Sequence, residues 1–183
     1  QGTFRSYRFR DKSNVYCSKY AVMINTYSNI RNVRPIAENV IDEIRIKPYL
    51  SEVENLFLIP NLGAALYKEI DDYLKTLIVG EEDPEPTHNA DFDLLMTGGF
   101  YDSNTKHFTG LNDALGHLTY SRFVRNQNVN ATAFGIVQKQ GQFSEPVDDK
   151  TIVRIAKDAE NVGQEYLKQC ICYLKFIKKI DEH

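Results

Sequence analysis

The sequence predicts a mainly α-helical protein: a bundle of about four to five helices with a long C-terminal helix, plus a small β element from the N-terminal segment and residues 133–140. Apolar residues recur at intervals of three and four along most of the chain after residue 34. The 183 residues are 42% hydrophobic and 26% charged, enough for one core without metals or disulfides. We therefore expect an extended basic N-terminal arm, residues 1–33, and a helical domain, residues 34–183, that contains an acidic loop at 80–93.

Three helical stripes occupy the first part of that domain. Proline at position 35 suits the first turn of a helix whose apolar stripe is Ile36, Val40, Ile41 and Ile44. Pro48 is expected to interrupt this helix or to begin the next one, whose stripe is Tyr49, Leu50, Val53, Leu56 and Phe57. After a break at residues 59–63, the third helix should end near Gly80, with the stripe Leu66, Ile70, Tyr73, Leu74 and Leu77.

The second half contains a fourth helix, a strand and the longest helix. Residues 94–96 should touch the core before Gly98 and Gly99 force a turn. Thr109 is expected to cap a helix that ends between residues 126 and 130, and residues 133–139 alternate as a strand does. The last helix, residues 149–179, carries the stripe Ile152, Ile155, Ala156, Ala159, Val162, Gly163, Tyr166, Cys170, Tyr173, Leu174 and Ile177. At about 45 Å it either bends near Gly163 or has last turns that another chain must cover.

Charge is unevenly distributed along the chain. Residues 1–33 hold six basic and one acidic side chain, whereas residues 71–102 hold nine acidic and one basic side chain. A positive arm and a negative loop favour head-to-tail association of identical copies, although a solvated surface has the same composition. The net charge of −3 argues against a tight DNA binder, and no apolar run is long enough for a membrane span.

Catalytic and metal-binding patterns are weak. The sequence has no glycine-rich phosphate loop and none of the usual zinc or nucleophile motifs, so we expect no catalytic residues and no cofactor. Cys170 and Cys172 lie about 200° apart on a helix, which prevents them from chelating one metal. A metal or hydrolytic site needs convergence of Asp102, His107, Asp113 and His117, and a divalent cation on the acidic loop is a further alternative. Arg122 and Arg125 should pair with acidic neighbours or contact phosphate.

Three stretches in order resemble one protein family. They are residues 47–67, with KPYLSEVE and LIPNLGAALY; residues 94–126, with LLMTGGFY, FTGLNDAL and YSRFVRN; and residues 132–139, TAFGIVQK, followed by Ser144 and the closing helix. This order is similar to that of head–tail connector (adaptor) proteins from phages and prophages of Bacteroides-type bacteria. The resemblance covers roughly residues 35–178; it does not explain residues 1–33, and the acidic loop looks like an insertion.

The resemblance implies a virion structural protein that forms a ring and joins the portal to the tail. It implies partners of two kinds, further copies of the chain and portal or tail proteins, with DNA only as passing cargo, and a place in the virion after assembly in the host cytoplasm. From the charge pattern we expect the partner-binding residues to be Arg5, Arg8, Arg10, Glu81, Glu82, Asp83, Lys175 and Lys178. Two alternatives stay open: a helical interaction module with an unknown partner, and a metal-dependent hydrolase.

Overall fold

A computed structural model describes residues 24, 26–34, 43–77, 89–126, 129–132, 135–138 and 147–181. Within these residues the helices are α1 (Tyr27–Val33), α2 (Glu43–Val53), α3 (Ile59–Leu62), α4 (Ala64–Thr76), α5 (Ala90–Thr97), α6 (Leu111–Asn126) and α7 (Asp149–Asp181). A π-helical segment, Glu54–Leu58, joins α2 to α3 without a break. The strands are β1 (Gly98–Tyr101), β2 (Lys106–Thr109), β3 (Val129–Thr132) and β4 (Gly135–Gln138). The mainly α fold with a long C-terminal helix and a small β element is thus confirmed.

The centre of the fold is the antiparallel pair of α6 and α7. The thiol of Cys170 donates to the carbonyl oxygen of Thr109 over 3.3 Å at one end of the pair, and Arg125 forms an ion pair with Glu160 at 2.9 Å at the other. The apolar faces between these points are almost entirely removed from water. They include Leu111, Ala114, Leu115 and Leu118 from α6, and Leu167, Cys170 and Tyr173 from α7.

Two glycines allow helices to approach α6 closely. A Cβ atom built at Gly163 of α7 lies 2.7 Å from Leu118 Cγ and 2.9 Å from the carbonyl oxygen of Ala114. A Cβ at Gly116 of α6 lies 2.2 Å from the carbonyl oxygen of Asn29 in α1. Both distances are far below van der Waals contact, so only glycine fits at these two crossings. The sequence offered Gly163 as a possible bend, whereas α7 continues through it as one helix.

Helix α1 corrects the prediction that residues 1–33 form an extended arm. Residues 27–33 are helical and pack against α6, and both Ile24 and Ile30 are buried. The segment shows little helical periodicity because it is only two turns long and includes Ser28 and Asn29, which are weak helix formers. Packing against α6 decides its conformation, as it does for most short helices. The rest of the predicted arm lies outside the described residues.

The first predicted break, at Pro48, is wrong. Pro48 lies inside α2 on an exposed side, while Ile46, Leu50 and Val53 are buried on the other. Apolar burial along that face offsets the lost backbone hydrogen bond of an interior proline. The second predicted break is confirmed at Gly63, whose φ of 83° ends α3 and whose backbone precedes α4.

Helix α5 shortens the predicted acidic loop of residues 80–93. Its N-cap is Asn89, whose side-chain oxygen accepts hydrogen bonds from the amides of Asp91 and Phe92, so Asp91 and Asp93 belong to the first helical turn. Carboxylates are favourable there because they face the positive end of the helix dipole. As predicted, Leu95 and Met96 are buried.

The sequence did not predict the hairpin that follows α5. Gly98 and Gly99 have positive φ angles, 77° and 156°, which favour glycine. They are the first two residues of β1 and do not form a loop. In the β1–β2 hairpin Phe100 faces His107 and Tyr101 faces Lys106. Thr109 ends β2, so Gly110 and not Thr109 precedes the first residue of α6.

The predicted strand at residues 133–140 is confirmed as β4, Gly135–Gln138. Its antiparallel partner is β3, Val129–Thr132, which begins where the polar residues 126–130 predict the end of the preceding helix. A strand from the N-terminal segment lies outside the described residues. In α7 the predicted stripe is wrong at two positions, because Ile155 is exposed and Leu167, which the stripe omits, is buried.

We predict that Gly116→Ala destabilises the fold by about 1–3 kcal/mol, because its methyl group displaces α1 from α6. Urea unfolding measures the loss. Lys157→Ala, on the exposed side of α7, is the matched control and should unfold at the urea concentration of the wild type. Equal stability of the Gly116→Ala variant would show that the α1–α6 contact is looser than the structure has it.

Candidate interaction site

Two of the residues predicted to bind partners, Lys175 and Lys178, are exposed on the last turns of α7. The others, Arg5, Arg8, Arg10, Glu81, Glu82 and Asp83, lie outside the described residues. Both lysines border a groove of about 550 Å³ between α3 and α4, the first turn of α5 and the C-terminal third of α7. We call this the α7 groove.

The α7 groove has an apolar floor. Six partly buried side chains from four helices contribute to it: Leu62, Leu66, Phe92, Ile171, Leu174 and Ile177. All six also pack against the main core, so the floor is an extension of the core surface. Its rims differ in charge. Glu69 and Asp91 border it on the side of α4 and α5, whereas Lys175 and Lys178 border it on α7.

Two tyrosines fix the position of α5, and therefore the acidic rim. The hydroxyl of Tyr73, from α4, donates to Asp93 over 2.6 Å, and the hydroxyl of Tyr173, from α7, donates to Asp91 over 3.1 Å. The Tyr73 ring also lies 5.4 Å from that of Phe92, a floor residue. Helix α5 is thus tied to both helices that form the walls of the groove.

Burial raises the pKa values of these two hydroxyl groups. Burial, followed by the hydrogen bond to Asp93, raises the pKa of Tyr73, and burial, followed by the charge of Asp91, raises the pKa of Tyr173. Tyr67 donates to the buried carboxylate of Glu54 in the π-helical segment over 3.2 Å. Burial and the charge of Glu54 raise the pKa of Tyr67 to about 12.

On the opposite side of α7 lies the β1–β2 hairpin. Its inner face packs on α7 through Tyr101, whose ring lies 5.3 Å from that of Tyr173 and 5.2 Å from that of Phe176. Its outer face carries Phe100 and His107, with ring centroids 4.8 Å apart. Phe100 is 60% exposed, the largest exposed fraction among the large hydrophobic side chains that the structure describes. We call these two rings the hairpin knob.

Three of the four residues of the alternative metal site, Asp102, His107 and His117, are engaged separately. Asp102 forms an ion pair with Lys106 at 2.8 Å, and His107 contacts Phe100 on the hairpin. His117 is buried on α6 and accepts a hydrogen bond from Arg34 Nε over 3.4 Å; burial, then the charge of Arg34, lowers its pKa. Among the described residues, no three histidine, cysteine or carboxylate side chains are grouped so that they could hold a metal ion.

Two smaller expectations are met by the structure. Cys170 is buried and Cys172 is exposed, as their spacing on one helix requires. Arg125 pairs with Glu160 and Arg122 lies 3.6 Å from Glu52, which agrees with the pairing interpretation of these two arginines. None of the helices in the described ranges is both long and apolar enough to cross a membrane.

Comparison with known proteins gives a family without an assigned activity. Residues 58–179, two thirds of the chain, match the family of unknown function DUF6712, and the chain belongs to that family. The matched range includes α4 to α7, and with them both the α7 groove and the hairpin knob. No curated protein and no solved structure matches the chain.

We predict a coupling of about 1 kcal/mol between Tyr173 and Asp91, the value of one typical hydrogen bond. Urea unfolding of Tyr173→Phe, of Asp91→Ala and of the double variant measures it as a double-mutant cycle. If the losses of unfolding free energy in the two single variants add up to the loss in the double variant, Tyr173 does not hold α5 in place.

We also predict that the stability of the protein falls as the pH rises above about 9. Tyr67 has an ordinary pKa of 10.0 and a folded value of about 12, and burial raises the pKa of the Cys170 thiol from 9.0 to about 12. Each group is therefore more readily deprotonated in the unfolded chain, so its stabilising contribution is complete below its unfolded pKa and is lost as the pH rises toward the folded value. Urea unfolding between about pH 8 and pH 11 should show this decline, and Tyr67→Phe should reduce its slope. An unchanged slope would contradict the burial of the Tyr67 hydroxyl.

Proposed function

We propose that this DUF6712 chain is a phage or prophage virion structural protein, a head–tail connector (adaptor) that forms a ring and joins the portal to the tail. The observation that carries the proposal is the α7 groove: an open apolar floor with one acidic and one basic rim, which suits contact with another protein. The ordered resemblance of residues 35–178 to connector proteins supplies the biological setting.

An assembly role fits how three carboxylates in or beside the predicted acidic loop, Asp91, Asp93 and Asp102, are used. Asp91 and Asp93 accept hydrogen bonds from tyrosines that join helices, and Asp102 is paired with Lys106. A general acid or base needs a carboxylate in an apolar pocket with its proton available to a substrate. These three carboxylates instead position parts of the fold. We propose that the protein neither makes nor breaks covalent bonds.

The proposal specifies partners and place. The partners are further copies of the chain and portal or tail proteins, through Arg5, Arg8, Arg10, Glu81, Glu82, Asp83, Lys175 and Lys178. DNA passes through the ring as cargo, and the net charge of −3 agrees with a lumen that does not retain it. The protein belongs in the virion, after assembly in the host cytoplasm.

The second candidate is a helical interaction module of unknown partner, which the same groove also supports. The neighbours of the gene separate the two. Portal, terminase and capsid genes beside it favour the connector, whereas their absence favours the module.

We predict that replacing Arg5, Arg8 and Arg10 together by Glu weakens association with the portal or with further copies at least about tenfold, since complementary charges on two partners govern encounter and orientation. Sedimentation of mixtures with the portal protein encoded beside the gene measures the association, and the melting temperature should stay the same.

The matched control replaces Lys150, Arg154 and Lys157, three exposed positions on α7, by Glu and so changes the charge by the same amount. It should leave association almost unchanged. Equal weakening in both triple variants would show that total charge, and not the arm, governs assembly. Association that neither variant changes would remove the arm from the interface.

A further inference from the structure

The hairpin knob and the α7 groove lie on opposite sides of one helix segment. The side chains of α7 that meet the hairpin are Gln169, Cys170, Tyr173 and Phe176. Those that line the groove include Ile171, Leu174 and Lys178. At 3.6 residues per turn the mean directions of these two sets differ by about 145°. The last third of α7 is therefore a wall between a projecting aromatic surface and a recessed apolar one.

The two surfaces are complementary in chemistry. The hairpin knob is an exposed aromatic pair that faces away from α7, because Tyr101 and Lys106 occupy the inner face of the same strands. The α7 groove is open and apolar, with a volume of about 550 Å³. Beside the knob the hairpin also presents an ion pair, Lys106 with Asp102 at 2.8 Å, in which both side chains are partly exposed. The groove presents an acidic rim, Glu69 and Asp91, and a basic rim, Lys175 and Lys178.

We propose that the α7 groove of each chain receives the hairpin knob of a second copy, with Phe100 on the apolar floor. This inference rests on the proposed ring assembly and specifies its subunit contact. A contact between two different surfaces of the same chain is heterologous, so each copy that is bound through its groove still offers its own hairpin knob. If the rotations from each copy to the next add up to a full turn, such a contact yields a closed ring. It does not yield a two-fold dimer.

The size of the contact has a consequence for assembly. One hairpin in one groove is small compared with the roughly 1,200–2,000 Å² that stable interfaces bury. Each single contact is therefore weak, and assembly depends on high concentration, on closure of the ring or on a portal that aligns the copies. Burial of one phenylalanine ring changes the affinity by about 10- to 100-fold.

The test uses two full-length variants that each remove one side of the contact. Phe100→Asp removes the hairpin knob and leaves the groove intact, whereas Leu66→Arg blocks the groove and leaves the knob intact. Sedimentation velocity from micromolar to millimolar concentration should show oligomers for the wild type and monomers for each variant alone. An equimolar mixture should form a one-to-one dimer and nothing larger, because only one productive contact exists between the two variants.

Two controls keep the outcomes distinct. Val153→Asp replaces an exposed apolar side chain of α7 that belongs to neither surface, and it should assemble as the wild type does. Leu66 is partly buried, so thermal unfolding of Leu66→Arg is measured first. If that variant unfolds, the exposed rim change Glu69→Arg replaces it, and a smaller loss of affinity for the hairpin is expected.

Each remaining outcome overturns a stated part of the account. Rings that form from Phe100→Asp would overturn the hairpin as the occupant and leave ring assembly intact. A mixture that shows no dimer at a concentration where the wild type already forms dimers would show that the contact is not heterologous between these two surfaces, because either dimer has a single contact. A wild type that stays monomeric at millimolar concentration and on the portal would overturn the contact and the proposed function together.

Discussion

The antiparallel contact of α6 with α7 is the constraint on which the rest of the structure depends. It is possible at this distance because Gly163 has no side chain where Leu118 and Ala114 of α6 come closest. The same helix meets α1 at Gly116, so α6 is enclosed from two directions. Fixed in this way, α6 sets the position of α7, and α7 in turn carries the hairpin on one side and the groove on the other.

The two surfaces are built from the core outward. Tyr173 illustrates this: its ring stacks on the buried Phe108 of the hairpin, 4.6 Å away, while its hydroxyl holds Asp91 at the rim of the α7 groove. One side chain therefore links the strand pair, the long helix and α5. Because the hairpin and the groove share this support, the packing of Tyr173 fixes their relative orientation. A rigid orientation is what a repeating contact needs, since small errors in angle accumulate around a ring.

The sequence predicted those elements whose apolar pattern is long. Residues 149–179 show so many regular repeats that α7 was evident, and the apolar stripe from Leu66 to Leu77 predicted α4. Short elements escaped because their pattern is brief or their contacts are distant. Two turns of α1 depend on packing against α6, about 85 residues later in the chain. The β1–β2 hairpin begins with two glycines that indicate a turn in any sequence, and the partner of β4 lies in a polar segment.

For the candidate site, the sequence identified the basic rim, and neither the acidic rim nor the floor. Lys175 and Lys178 were chosen because they concentrate at the end of α7, and both border the groove. Phe100 had no signal of its own, since an aromatic residue in a strand is usually buried. Only the pairing of Phe100 with His107 on the outer face of the hairpin reveals it as a surface feature.

The central claim is that this chain acts through surfaces it offers to other subunits. Electron microscopy of the purified full-length chain mixed with its portal protein tests that claim most directly. The account predicts closed rings of the chain seated on the portal, with neighbouring copies in contact through the hairpin side of one and the groove side of the next. Portals without added density, beside a chain that remains monomeric, would contradict it.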